Sequence, residues 1–191
     1  MTHNDGHRDR HKGEQLLHAA DEKGNLSGKL VKRWDAHTSP GLKHLAYGIL
    51  VVNSKGEFVL HKRPERKVGG GKLDLPVSHI LSTETHEQAY TRTLKEEYGV
   101  TEKLEFEDYG GFSYEEHYED GTCENEFCLV IVVHCDGPFH PNPKEVEGEL
   151  FFLPGRKALD EINSHPEKYT IWYREAIKLL AKHPEGKKYL A

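Results

Sequence analysis

The chain has 191 residues and a formal net charge of −6, which bounds it to one ordinary domain able to bury its own core and gives no basic footprint for nucleic acid. No apolar run approaches the roughly 20 residues of a membrane span, and the polar N-terminus lacks the apolar stretch of a secretory signal, so a soluble cytoplasmic protein without membrane contact is expected. Three cysteines, Cys123, Cys128 and Cys135, odd in number and without a CxxC spacing, argue for reduced, packed thiols rather than a disulfide framework or a zinc knuckle.

Residues 1–15 are polar and His-rich and read as a flexible arm ahead of a single domain over 16–191. His3, His7 and His11 have helical spacing for a metal, but among 14 histidines a solvated tail is the plainer reading. Residues 45–53, LAYGILVVN, are β-prone, Asn53 to Gly56 supply turn residues, and EFVLHKR resumes as a second strand, which makes a hairpin. PERKVGGGK is a Pro/Gly/basic loop, LDLPVSH a short strand broken at Pro76, and Thr85 with Gln88 a capping box that opens a helix ending at Gly99. FEDYGGFSYEEHY and ENEFCLVIVVHC read as strands joined at Asp120 and Gly121, and ELFFLP as another after a Pro-rich connection. In the tail, Pro166 stands near the start of a helix whose apolar residues Ile171, Trp172, Ala176, Leu179 and Leu180 recur at helical spacing. The sum predicts an α+β fold: a mixed sheet with one central helix and C-terminal helices, an α/β/α sandwich around a single core.

In residues 77–100, VSHILSTETHEQAYTRTLKEEYGV, the residues Ser78, Glu84, Arg92, Thr93, Leu94, Glu96, Glu97, Gly99 and Val100 fall on the places of a pattern that resembles the Nudix box. Ser78 replaces its glycine and Thr93 the first glutamate of its helical set. Positions 93, 96 and 97 are three and four apart, so carboxylates there share a helix face and can hold divalent metal against a diphosphate. A solvated acidic helix end with an Arg92–Glu96 surface pair is the bland alternative. A second constellation adds weight. Glu124 and Glu126 alternate on one strand face, His37 and His44 flank a Thr38-Ser39-Pro40-Gly41 turn that folds the chain back, and His79 lies just before the helix. Each histidine alone is ordinary; the set is not.

The arrangement resembles the type 1 isopentenyl-diphosphate isomerases, a Nudix-fold family that interconverts isopentenyl and dimethylallyl diphosphate, and the likeness runs from about residue 17 to about residue 180. It implies one divalent ion (Mg2+, Mn2+ or Zn2+) on His37, His44, His79, Glu124 and Glu126, and a second, Mg2+ on the substrate diphosphate, helped by Glu97. Arg33, Arg63 and one residue of the Arg66-Lys67 pair, with Lys67 the candidate, match basic positions that cradle the phosphates. Tyr114 and Trp172 match aromatics that close over the isoprenoid tail and steady a tertiary carbocation. The family moves its proton with a Cys on one side of the substrate and a Glu with a nearby Tyr, here Glu126 and Tyr114, on the other. The Cys place is Val77, and valine cannot exchange a proton.

Three functions follow for a small-molecule diphosphate substrate. The first, and the leading one because the isomerase Cys is absent, is metal-assisted hydrolysis of a prenyl-like diphosphate, with Glu96 and Glu97 as the paired carboxylates of hydrolase boxes. The second is allylic isomerisation with a substitute proton donor, and the third is a non-catalytic diphosphate-binding module. The sequence carries no signal for an oligomeric state.

Overall fold

The computed structural model describes residues 10–191. Residues 1–9 of the expected arm, with His3 and His7, lie outside the described residues, as does the His11 side chain. Arg10–Gly13 form one helical turn, α1, and the order thereafter is β1 (Leu16–Ala20), β2 (Leu26–Lys32), α2 (Arg33–Ala36), β3 (His44–Val52), β4 (Glu57–Lys62), β5 (Leu73–Asp74), β6 (Val77–His79), α3 (His86–Tyr98), β7 (Phe106–His117), β8 (Cys123–His134), β9 (Glu147–Pro154), α4 (Gly155–Ser164) and α5 (Ile171–Lys182).

Strand β3 is buried along its whole length because both faces of the sheet are covered. Its alternate side chains divide the interior into two cores. Ala46, Leu50 and Val52 pack with Trp172, Tyr173, Ala176, Ile177 and Leu180 of α5 and with Ala158 and Ile162 of α4. Leu45, Tyr47, Ile49 and Val51 pack on the other face with Ala89, Tyr90, Leu94 and Tyr98 of α3. The result is a mixed α/β/α sandwich, the expected class, with two cores rather than one.

Helix α3 has the predicted capping box, in which Gln88 N–H donates to Thr85 Oγ1 while Gln88 Oε1 accepts from Thr85 N–H. It stops at Gly99, whose φ of 69° is left-handed and whose missing Cβ would stand 2.7 Å from His140. Two elements have weak sequence signals. Strand β2 is almost entirely exposed and shows no buried alternation, and α4 starts after Pro154 without a side-chain cap.

The register positions the site. Parallel β8 sets Glu126 beside His44 of β3, antiparallel β7 sets Tyr114 on the other side of Glu126, and antiparallel β6 pairs His79 with Ala46 and Val77 with Gly48.

The C-terminal turn, Gly186–Leu190, is held from the far end of β7, where Glu107 accepts hydrogen bonds from Tyr109, Tyr189 and Lys188 at 2.8, 2.8 and 3.0 Å. Partial burial alone raises this carboxyl, but the three donors outweigh it and hold Glu107 at about 2. A carboxyl depressed in the folded state contributes stability that is complete above its ordinary value of 4.5 and is lost as pH falls toward 2. Glu107→Gln is therefore expected to speed amide exchange over residues 186–190 at neutral pH and to flatten the loss of protection between pH 4.5 and 2. Unchanged exchange rates would dissociate Glu107 from the C-terminal turn.

Candidate active site

The loop from α2 to β3 carries His37 back onto the start of β8. Cys123 N–H donates to His37 O at 3.0 Å, Thr38 bridges Thr122, and a Cβ at Gly41 would come within 2.5 Å of Cys123 Sγ, so only a glycine with its φ of 74° lets the loop seat this closely. His37, His44 and His79 then form a near-equilateral triangle, with ring centroids 4.7 to 4.9 Å apart. Their ligating atoms and a Glu126 oxygen all lie within 4.8 Å of one another. Glu126 Oε1 is 2.9 Å from His79 Nε2, 3.3 Å from His44 Nε2 and 3.9 Å from His37 Nε2, while Glu124 Oε2 is 3.2 Å from His37 Nε2.

These groups suit a divalent cation. His37 Nδ1 and His44 Nδ1 each lie 2.8 Å from a backbone carbonyl, that of Arg33 and that of Leu42. Each N–H donates there, and the opposite nitrogen is left as a lone pair aimed at the carboxylates. His44 Nε2 and Glu124 Oε2 are buried, close to possible partners, and make no aligned hydrogen bond, as expected of acceptors facing one another across a cation position. Burial, His44 and Arg33 push His37 down to about 3, and burial and Arg33 hold His79 well below its ordinary value. Burial opposes ionisation of Glu126, yet the close approach of His44 and the hydrogen bond with His79 keep it well below the usual carboxylate range. Burial and the neighbouring Glu126 raise Glu124. His44 is lowered by burial but raised overall by Glu126, so the site favours positive charge at its centre.

Beside this cluster lies a cavity of about 340 Å³ lined by Arg33, Arg63, Val77, His79, Tyr114, Glu124, Glu126 and Trp172, with Lys12, Trp34 and the 120–122 turn also in its wall. Its size is that of a small-ligand pocket. Tyr114 Oη donates to Glu126 Oε2 at 2.5 Å, and the Tyr114 ring lies 6.1 Å from Trp172. No cysteine contributes to the lining. Cys123 and Cys128 are buried, and burial raises both thiols.

The Nudix-box residues separate. Thr93 is buried 2.8 Å from Tyr47 Oη. Glu96 is exposed and paired with Arg92 at 3.4 Å, and Glu97 turns inward. Successive helical residues are about 100° apart, so adjacency in sequence is not adjacency of carboxylates. Glu97 is nine-tenths buried with Oε2 unpartnered, and burial raises it to about 8 against the opposing pull of Lys67. Lys67 pairs with Glu145, which also meets Lys12 at 3.3 Å. Neither Glu97 nor Lys67 lines the cavity itself. Sequence reading overlooked Asp74 and Glu145; the available signal for Asp74 was a lone carboxylate between two leucines in a short strand.

The chain matches the NUDIX domain family over residues 42–179. It is 31% identical over 166 residues to isopentenyl-diphosphate Delta-isomerase 1 of Photorhabdus laumondii, an alignment that covers 85% of this chain and 93% of that one. It is 33% identical over 163 residues to the isopentenyl-diphosphate Delta-isomerase of Haloarcula marismortui, covering 81% of this chain and 82% of the relative. The crystal structure of DR0079 from Deinococcus radiodurans aligns with a TM-score of 0.65 at 20% identity, over 86% of this chain and 98% of that one, a likeness of fold alone. With a matching domain over most of its length and relatives at this identity, the chain belongs to the Nudix family and, within it, to the enzymes of the isopentenyl-diphosphate isomerase type.

Proposed function

We propose that this enzyme moves a proton along the carbon skeleton of a small prenyl-like diphosphate, interconverting isopentenyl- and dimethylallyl-type double bonds with Glu126 and Tyr114 as its acid/base pair. The observation that supports this most directly is the 2.5 Å hydrogen bond between Tyr114 and Glu126 in the wall of a cavity that Val77 and Trp172 also line. A divalent ion held by His37, His44, His79, Glu124 and Glu126 would supply positive charge beside Glu126 and make its conjugate acid stronger.

Arg33 and Arg63 hold the diphosphate by charge-assisted hydrogen bonds. Glu126 rests ionised, so addition starts from its minor protonated form, which gives its proton to the terminal alkene carbon: the π bond breaks, a C–H bond forms, and a tertiary cation is left facing the rings of Tyr114 and Trp172. Loss of an allylic proton to the same Glu126–Tyr114 pair re-forms a π bond one carbon along. Val77 has no proton to exchange, so addition and removal both pass through one pair of groups. Slow turnover follows, because one carboxylate must serve two carbons in sequence.

Hydrolysis is the second reading, and Glu97, a buried carboxylate near Lys67 and Arg63, favours it. The paired carboxylates expected of it are missing from support: Glu96 is tied to Arg92 at the surface and Thr93 is tied to Tyr47. Purified protein with Mg2+ or Mn2+ and isopentenyl diphosphate is expected to form dimethylallyl diphosphate slowly without releasing phosphate. Phosphate release without the isomer would establish hydrolysis instead, and tight binding with neither product would establish a diphosphate-binding module.

A further inference from the structure

Asp74 has no exposed surface, and no step above uses it. A carboxylate taken fully out of water persists only when paired and hydrogen-bonded. Asp74 has four donors. Its Oδ1 accepts from Leu75 N–H at 2.8 Å, Thr170 Oγ1 at 2.9 Å and Trp172 Nε1 at 2.6 Å, and its Oδ2 accepts from Arg63 Nη1 at 3.0 Å. Arg63 is fixed a second time by Val68 O at 2.6 Å from its Nε, and its guanidinium carbon lies 5.0 Å over the Trp172 ring. Thus β5, through one side chain, joins a guanidinium from the end of β4 to an indole from the first turn of α5. Both partners line the cavity.

We propose that Asp74 is a positioning residue that locks Arg63 and Trp172 into one unit, and so sets the distance between the diphosphate-holding and hydrocarbon-holding parts of the cavity. The inference rests on the diphosphate reading above. The guanidinium carries a long, rotatable stem and the indole, on two torsions, a shorter one; left alone, the guanidinium above all would lose entropy on meeting the ligand. Held by one carboxylate, they meet the ligand with that cost already met in folding, at a fixed spacing that favours a short tail directly behind the diphosphate.

The test uses inorganic pyrophosphate as the probe, together with isopentenyl diphosphate. In Asp74→Asn the amide oxygen can keep the Oδ1 contacts to Leu75, Thr170 and Trp172, while the amide nitrogen faces Arg63 Nη1 donor to donor. The folded protein is expected to bind pyrophosphate roughly tenfold more weakly, the loss of about one charge-assisted hydrogen bond. KM should rise by more than kcat falls, and the Trp172 indole N–H resonance should no longer shift on pyrophosphate addition. The double variant Arg63→Ala/Asp74→Asn should bind no more weakly than Arg63→Ala alone, since Asp74 acts through Arg63. Arg63→Lys gives an independent arm if Asp74→Asn does not fold: it keeps the charge but not the planar fork, and binding should weaken by a similar factor. Wild-type affinity in Asp74→Asn or in Arg63→Lys, or losses that multiply in the double variant, would overturn the role of Asp74. Failure of the wild-type protein to bind pyrophosphate would instead remove the diphosphate reading, and the positioning role with it.

Discussion

Val77→Cys is expected to raise interconversion of isopentenyl and dimethylallyl diphosphate by about 10²- to 10⁴-fold, the usual worth of a positioned acid/base group. Val77 lines the cavity on short strand β6, two residues before His79 and paired with Gly48 of β3. A thiol there would share the cavity with the Glu126–Tyr114 pair but stand on a different strand, so proton addition and removal could be divided between two groups. The gain should vanish in Val77→Cys/Glu126→Gln. Val77→Ser is the control, being small and polar but a poor proton donor at neutral pH. The measurement is the rate of isomer formation at fixed metal concentration. If the wild-type protein already isomerises at a high rate and the thiol adds nothing, another group moves the proton and Val77 is not the reason for slow turnover.

Glu126→Gln should have the largest damaging effect of any single change, a loss of activity of at least about 10³-fold, because one side chain serves two ends of the site. Its Oε1 approaches all three imidazoles, at 2.9, 3.3 and 3.9 Å, and its Oε2 accepts a hydrogen bond from Tyr114 Oη at 2.5 Å. Glutamine keeps the shape but cannot be an acid, and it removes the negative charge that balances a cation. Bound metal, measured by elemental analysis after dialysis at limiting concentration, should fall roughly 10- to 100-fold in affinity. Tyr114→Phe separates the two roles: metal binding should persist while activity drops. Equal metal loss in both variants would make Tyr114 a part of the ion site rather than of the proton path.

Several of the local features around this site are legible in the residues themselves. The capping box at Thr85 and Gln88, the glycine stop at Gly99 and the alternation of Glu124 with Glu126 are local signals, and each is found in the folded chain. The convergence of His37, His44 and His79 was legible only through resemblance, because it depends on β3–β8 and β3–β6 register between segments far apart in sequence. Helix α4 was not singled out because it is only ten residues long and starts after Pro154 without a side-chain cap, although Ala158, Leu159 and Ile162 do recur at helical spacing toward the core. The pairing of Glu96 with Glu97 was the reverse case. Neighbouring letters suggested one cluster, and the helix turns one to solvent and the other to the interior. Asp74 gave only a lone carboxylate between two leucines, because its meaning lies in Arg63 after β4 and in Thr170 and Trp172 at the start of α5, which reach it from two other places in the chain.

Proton movement at carbon is measured most directly by incubating the wild-type protein with divalent metal and isopentenyl diphosphate in D2O, with the recovered diphosphates analysed by NMR. The prediction is deuterium at the terminal alkene carbon and the allylic methylene of recovered substrate, and at a methyl group and the alkene C–H of any dimethylallyl product, with no free phosphate and with no label in Glu126→Gln. Phosphate release from a substrate whose carbon-bound hydrogens are unexchanged would contradict it, and would assign the site to cleavage of the diphosphate.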